Sequence, residues 1–278
     1  MKIINTFLFA AAAFTAAKGF DNNPEITQYT VISKKLPSDF DDFKISFLSD
    51  IHSVADKSIA DLVYGEKPDI ICISGDMTND KDPYIHFIKL LKKLVKIAPV
   101  YLSSGNHDVW RGDYTEFISA CRQCGAIYLS NKSDYIYRGQ AKIRINGIDD
   151  PFARISTLSE RNLLASLEKI SADDCFNVLL FHRADMFDLL ADKGFDLILS
   201  GHMHGGLIRT PFTGGFVCPK TNLCAEQRVF FPKYSGGEYT KCGTKMIVSR
   251  GTGKPSSLPR FFNRPELCTI TLKNYKSV

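Results

Sequence analysis

No stretch of this 278-residue chain stays apolar for the ~20 residues that a membrane-spanning helix needs. There is a single tryptophan, no internal repeat, no low-complexity tract and no clear linker. Repeat arrays and disordered tails are thereby excluded, and one catalytic domain is the economical reading. A dense basic patch is also missing. The 35 Lys and Arg are scattered among 30 Asp and Glu, and the longest basic cluster, Lys89 to Lys96, has the spacing of a solvated helix face. This argues against nucleic-acid binding, while the net charge of +5 suits an anionic substrate. Cysteine is modest at eight. Cys72 lies inside the apolar run Ile70 to Ser74 and is read as a buried thiol. Cys121 and Cys124 form a lone C-x-x-C without the partner pair that a structural zinc asks for. Cys218, Cys224 and Cys242 fall in a polar, Gly/Pro-rich stretch, where a disulfide is expected if the chain is exported.

The N-terminus bears on export. Met1-Lys2 is a short positive start, Ile3 to Ala17 is mostly apolar with small residues near its end, and Lys18 breaks the run. Residues 1–17 are read as a secretory signal peptide cleaved near Ala17, with an uncleaved membrane anchor as the alternative. Residues 18–42 form an extension with one strand at Gln28 to Ser33. The catalytic domain is placed at residues 43–274.

From Phe43 onward, strand-like and helix-like segments alternate. Strands are expected at Phe43–Ser49, Asp69–Ser74, Val100–Ser103, Lys142–Ile148, Asn177–Phe181, Asp196–Ser200, Lys245–Ser249 and Cys268–Leu272. Helices are expected at Ser58–Gly65, Pro83–Ile97, Tyr114–Cys124, Thr157–Ile170 and Asp185–Lys193. The alternation predicts an α/β core with partly parallel sheets covered by helices.

Histidine is where the sequence becomes specific. Five of the six histidines follow an apolar, strand-like run, in segments that also carry Asp, Asn or a second His. With one companion segment that has no histidine, the five segments read Asp50-x-His52, Gly75-Asp76-x-x-Asn79-Asp80, Gly105-Asn106-His107-Asp108, His182 and Gly201-His202-x-His204; His86 falls in a predicted helix and is read as packing or surface. Ligands of open α/β sheets gather beyond the carboxyl ends of strands, so these distant segments can share one crevice. Asp50, His52, Asp76, Asn106, His182, His202 and His204 are seven candidate ligands, more than one divalent ion uses. Two ions ~3.5–4 Å apart use them well if one carboxylate bridges, and Asp76, preceded by Gly75, is chosen for that. Such a pair turns a bound water into hydroxide and neutralises phosphoryl oxygens, which suits phosphate-ester hydrolysis. His107, next to the ligand Asn106, is left to protonate the departing oxygen, with Asp108 orienting it or a ligand. Asn79 and Asp80 are read as capping the following helix, Trp110 and Arg111 as a packing tryptophan with a surface arginine, and Asp149-Asp150 as a turn before Pro151.

In this order the segments resemble the calcineurin-like metallophosphoesterase family, over nearly all the chain after the leader. The likeness is greatest to its small, often exported bacterial members. These share a Gly-Ile-Asp-Asp segment (Gly147 to Asp150), a Phe-Pro-Lys-Tyr stretch followed by glycines (Phe231 to Gly237), a Val-Ser-Arg-Gly segment (Val248 to Gly251) and a late Arg-Pro-Glu (Arg264 to Glu266). Ser53-Val54 after the first histidine and Ala184 after His182 depart from the Leu-Gly and Pro that such members often carry. The resemblance implies a four-layer α/β/β/α sandwich with two mixed sheets and two divalent ions, manganese, iron or zinc. It assigns Asp50, His52 and His204 to one ion, Asn106, His182 and His202 to the other, Asp76 to both, and His107 to the leaving group. The expected activity is hydrolysis of phosphodiester or pyrophosphate bonds by a monomer outside the cytoplasm, on a phosphorylated small molecule or a lipid-linked substrate. A nucleotide pyrophosphatase of the UDP-diacylglucosamine hydrolase type and a non-catalytic metal-binding protein are the alternatives.

Overall fold

The computed structural model describes residues 18–53, 57–151, 159–170, 172–210, 214–217, 230–253 and 259–277. The strands are β1 (Glu25–Ser33), β2 (Phe43–Leu48), β3 (Ile70–Ser74), β4 (Val100–Ser103), β5 (Ile127–Tyr128), β6 (Lys132–Arg138), β7 (Ala141–Gly147), β8 (Asn177–Arg183), β9 (Leu197–Gly201), β10 (Ile208–Thr210), β11 (Gly214–Val217), β12 (Gly237–Lys241), β13 (Thr244–Val248) and β14 (Glu266–Asn274). The helices are α1 (Lys57–Glu66), α2 (Ile85–Leu94), α3 (Asn106–Val109), α4 (Tyr114–Gln123), α5 (Ser159–Lys169) and α6 (Phe187–Leu190).

Two six-stranded sheets carry the molecule, ordered β1-β14-β2-β3-β4-β5 and β12-β13-β9-β8-β7-β6. Strands β2 to β5 run parallel, as do β7, β8, β9 and β13. The inner strands β3, β8 and β9 read as nearly unbroken apolar runs because both faces are covered, whereas β7 alternates, with Lys142 and Arg144 half-buried. Period-two alternation then sends neighbours to different layers. Ile70 and Cys72 face the second sheet, whereas Ile71 and Ile73 face the helices. On the other side Val178 and Leu180 face the first sheet, and Leu179 and Phe181 face α5 and α6. Three apolar layers therefore separate four structural ones, helix, sheet, sheet, helix.

Helix α2 shows how the outer layers attach. Phe87, Ile88, Leu90, Leu91 and Leu94 are buried on one stripe, and Lys89, Lys92 and Lys93 are exposed opposite. The basic cluster is thus a solvated helix face, and its lysines at the C-terminal turn complement the helix dipole.

Several elements differ from the sequence reading. The segment Asp185–Lys193 forms a 3-10 turn at Ala184–Met186 followed by the single turn α6. Strands β6 and β12 have no counterpart in that reading. Both are antiparallel outer strands with largely half-exposed, polar sequences, so the apolar alternation that marks a strand is weak in them. The start of the expected helix at Thr157 lies outside the described residues. Cys72 is a buried thiol, and Cys121 and Cys124 are free on α4 and just after it. Cys218 and Cys224 lie outside the described residues.

The layer between the sheets sets the geometry of everything above it. Replacing the fully buried Phe47 by Ala should cost ~3–5 kcal/mol in urea unfolding. Ile32→Ala, at a residue 45% exposed on β1, should cost under ~1 kcal/mol. Similar losses from both would show that the inter-sheet layer is not the stabilising one.

Candidate metal centre

The parallel strands of both sheets end at one edge, and the site is built from the segments beyond those ends. Asp50 and His52 follow β2, Asp76 follows β3, Asn106 and His107 open α3 after β4, and His202 and His204 follow β9. His182 differs from its expected loop position, because it sits inside the end of β8. There three residues of β8 oppose two of β9, and this bulge turns the ring towards the other sheet.

Close backbone approach brings these segments together. A Cβ on Gly201 would lie 1.8 Å from Ser49 Oγ and 2.2 Å from Asp50 Oδ2. A Cβ on Gly105 would lie 2.3 Å from Asp76 Oδ1. No side chain fits at either place, which is why glycine precedes His202 and Asn106. The ligand residues also take left-handed backbone: φ is positive at Asp50 (50°), His52 (47°), Asp76 (49°), His202 (73°) and His204 (49°). Each such residue costs on the order of 1 kcal/mol, and the surroundings must hold it. They do so by extending the sheet past its strands. Asp50 N–H donates to Gly75 O (3.1 Å), His52 N–H to Asp76 O (3.0 Å) and Gly253 N–H to Asp50 O (2.8 Å).

All seven candidate ligands are buried, and six of them, all but Asn106, fall into close groups of ligand atoms. Asp50, His52 and His204 form one group whose ligand atoms lie within 4.8 Å of one another. Asp76, His182 and His202 form a second, and His52, Asp76 and His107 a third. Asp76 belongs to two of the three. Its Oδ1 accepts the His107 N–H at 2.8 Å, and its Oδ2 lies 3.2 Å from His182 Nε2. Asp50 Oδ1 is 3.5 Å from His204 Nε2 and 3.9 Å from His182 Nε2. The Nε2 atoms of His52 and His204 are 3.4 Å apart, aimed at each other.

These residues fit a cation on three observations. Asn106 Oδ1 is buried with no hydrogen-bond partner, and so is His182 Nε2, whose distance to Asp76 is short but whose angle makes no hydrogen bond. Buried polar atoms are rarely left so unless something else satisfies them. Second, the outward nitrogens are already committed, His182 Nδ1 to Ser74 O (2.8 Å) and His52 Nδ1 to Asn79 Oδ1 (2.8 Å), which points the other nitrogen inward. Third, burial pushes His52 down and His202 and His204 well down, so these imidazoles are neutral and offer lone pairs, although that of His202 Nε2 accepts from Arg183 Nη1 at 3.1 Å. His182 is opposite. Burial alone would lower it, but Asp76 and Asp50 outweigh burial and raise it to about 10.

Several supporting residues escaped the sequence reading. Asn79 orients His52 instead of capping a helix. Asp80, also read as a cap, places Oδ1 3.6 Å from His107 Nδ1. The residue at the start of α2 is Tyr84, with no side-chain cap. Asp108 orients neither His107 nor a ligand; it accepts N–H groups from Gly105 (2.9 Å), Thr78 (3.2 Å) and Met77 (3.3 Å), and so ties two ligand loops together. Arg111 is buried, not a surface arginine, and donates to Asn79 O (2.7 Å) and Asp82 O (2.8 Å). Asp150 is more than a turn residue: it accepts from Arg183 Nε at 2.7 Å, and Arg183 Nη1 lies 3.1 Å from His202 Nε2. A charged residue beside a ligand is the signal that could have suggested Arg183. His107 is the most open member, with about a third of its side chain exposed and its ring edge-on to Trp110 at 5.1 Å. His86 lies on α2, apart from the site.

The sequence profile of the calcineurin-like phosphoesterases matches residues 43–206, which contain every one of these ligands. The chain belongs to that family. It is a metal-dependent phosphoester hydrolase with residue clusters able to hold metal. It is 31% identical to the metallophosphoesterase YkuE of Bacillus subtilis over 95% of this chain and 93% of that one. It is 28% identical to the phosphodiesterase YaeI of Escherichia coli over 83% and 82% of the two chains. The phosphopantetheinyl hydrolase of Mycobacterium tuberculosis superposes with a TM-score of 0.50 at 12% identity, over 78% of this chain and 91% of that one, a likeness of fold. Among the described residues no helix is long and apolar enough to cross a membrane.

Gly201→Ala should lower stability by ~2–3 kcal/mol, a fall in Tm of about 4–10 °C, whereas Gly112→Ala, with nothing within 4 Å of its Cβ, should move Tm by no more than about 2 °C. Equal shifts would mean that the close approach at Gly201 is not a constraint. Metal loading should also release a proton at pH 7. Without metal His182 is protonated there, and a ligand nitrogen must give that proton up. Apparent affinity should therefore rise about tenfold per pH unit from neutrality towards pH 10. In the metal-free protein the sign is reversed: this raised group adds stability fully present below ~6.5 and lost as pH climbs through about 10. Manganese titration calorimetry in two buffers of different protonation enthalpy reads the proton directly, and identical heats in both would contradict the assignment.

Proposed function

We propose that the protein hydrolyses phosphodiester or pyrophosphate bonds at a two-ion site. Asp50, His52 and His204 hold one ion, Asn106, His182 and His202 the other, and Asp76 holds both. The observation that carries this reading is the two buried groups Asp50–His52–His204 and Asp76–His182–His202, linked through Asp76, whose Oδ2 lies 3.9 Å from His52 Nε2. Divalent ions held there would draw charge off the phosphoryl oxygens and make a water molecule nucleophilic near neutral pH. Hard carboxylate and amide oxygens mixed with imidazole suit manganese, iron or zinc.

The chain's own residues supply the rest. The His107 backbone is pinned to Asp76 by its N–H, so the ring keeps a constant position relative to the ligands. Its exposed edge can reach a departing oxygen, with Asp80 on the Nδ1 side to hold the ring. The burial of the ligands limits the bulk water that reaches them, and the His107 ring beside them packs edge-on to Trp110. Asp108 needs no direct role, because its work is to hold the β3 and β4 loops at fixed spacing. A metal-binding protein without turnover would have no use for a half-exposed histidine beside a bridging carboxylate. In this reading residues 43–274 form the catalytic domain of a monomer acting outside the cytoplasm, on a phosphorylated small molecule or a lipid-linked substrate.

With bis-p-nitrophenyl phosphate and added manganese, Asp76→Ala should lose activity by more than about 10³-fold and bind less metal. His107→Ala should lose about 10²–10⁴-fold in kcat while metal content, read by elemental analysis, stays at the wild-type level. Equal rates in the wild type and both variants would remove the reaction from this site.

A further inference from the structure

We propose that a phenylalanine-bearing ribbon beside the metal centre docks this protein on the surface of a lipid bilayer. After His204 the chain passes Gly205 and Gly206 and enters a small ribbon outside both large sheets. Its centre is the antiparallel pair β10–β11. On one side Ile208 bridges to Phe261, and Arg209 N–H donates to Phe261 O at 2.9 Å. Beyond it, Phe262 N–H donates to Gly19 O at 2.7 Å. On the other side Val217 bridges to Phe230, and Phe231 N–H donates to Phe216 O at 2.9 Å. One hydrogen-bonded ribbon therefore runs from Gly19 to Phe231.

Aromatic rings cover it. Phe20 meets Phe261 at 5.0 Å, and Phe216 meets Phe230 at 5.7 Å and Phe231 at 4.9 Å. Phe20, Phe230 and Phe231 are 51%, 57% and 52% exposed. Among the described residues these are the only exposed phenylalanines, and all three lie on this ribbon. Exposed apolar side chains elsewhere are scattered singly over strands and helices and need no partner.

The sequence next to the ribbon selects a bilayer as the occupant. The run Ile3 to Ala17 is the most apolar segment of the chain, and only Lys18 and Gly19 separate it from Phe20. A segment of that composition favours lipid, and in the uncleaved chain it would deliver Phe20 to the membrane surface. Phenylalanine on a polar scaffold suits the boundary between headgroups and acyl chains. The net charge of +5 adds attraction to anionic headgroups. Three residues of chain, Gly205 to Leu207, separate His204 from Ile208, a span of at most ~14 Å. A phosphoester at headgroup depth thus comes within reach of the metal ligands. Only this last consequence rests on the reading of the site as a phosphoesterase; the docking itself does not.

The test uses the full chain in a Leu8→Arg, Ala12→Arg background, which removes the affinity of the N-terminal run. Flotation with vesicles of mixed phosphatidylglycerol and phosphatidylcholine gives the partition coefficient. The background protein is expected to float. Adding Phe20→Ser, Phe230→Ser and Phe231→Ser should lower partition by about tenfold or more, and replacing the same three residues by Leu should restore it. Hydrolysis of soluble bis-p-nitrophenyl phosphate should agree within about twofold among all forms, since none of these residues belongs to the metal centre. The proposal is overturned if the background protein does not float, or if the Ser form floats equally well. It is also overturned if sedimentation shows the ribbon buried in a lipid-independent dimer that the Ser form loses. Failure of hydrolysis in every form would count against the phosphoesterase reading and leave the flotation result standing.

Discussion

The Asp76 carboxylate is the point on which the two sheets of this protein close. One oxygen is held by the His107 amide from the β4 loop, and the other faces His182 from β8. Few side chains could replace it. A longer carboxylate would collide with Gly105, whose bare Cα already leaves no room for a methyl group beside Asp76. A neutral isostere would leave the protonated His182 ring buried without its counter-charge, the costly half of a broken buried pair. The carboxylate is thus structural before it is chemical. It fixes the distance between loops that the inter-sheet core brings only into the same neighbourhood.

That arrangement carries local strain. Five ligand residues adopt left-handed backbone, a conformation that their own neighbours would not favour in a free peptide. The cost is offset by the stiffness of the layer underneath. Strands β2, β3, β8 and β9 are buried on both faces, and their ladders continue into the ligand loops through backbone hydrogen bonds. Asp108 adds a clamp by gathering three amides from two loops. The ligand set is thus held by the protein's own backbone contacts, the preorganisation that metal-assisted hydrolysis needs.

The legibility of these features in the sequence depends on how local their signals are. Central strands such as Ile70–Ser74 and Val100–Ser103 are visible because burial on both faces demands unbroken apolar residues. Edge strands such as Lys132–Arg138 have no such demand and carry no comparable mark. The seven ligands are visible because Asp, Asn and His after an apolar run recur in five segments, three of them with glycine beside the ligand, an uncommon combination. The contacts of Asn79, Asp80 and Arg183 are invisible for the opposite reason, although Asn79 and Asp80 stand in one of those segments. Each acts on a ligand from a different loop or strand, so no spacing along the chain records the contact. Asn79 in particular sits where a helix cap belongs, and only the fold reveals that its oxygen faces His52 instead. Likewise, Arg111 beside Trp110 looks like a surface residue until the 78–82 loop folds over it.

Charge balance explains why such a site attracts cations in the first place. Asp50 and Asp76 are both fully buried, within reach of the same histidine. His182 can neutralise one of them, and its proton is held there by both. The other histidines of the cluster are kept neutral by burial and contribute lone pairs, not charge. Nearby arginines do not fill the gap. Arg183 is committed to Asp150, and Arg260 donates to the carbonyls of Gly253, Gly251, Arg250 and Asn263. Burial pushes Asp50 upward, the signature of a carboxylate short of positive partners. An amide oxygen at Asn106 and a ring nitrogen at His182 are left without hydrogen bonds in the same space. Two buried carboxylates with one protonated histidine between them, beside an amide oxygen that lacks a partner, are relieved by small multivalent cations more effectively than by any side chain of this chain.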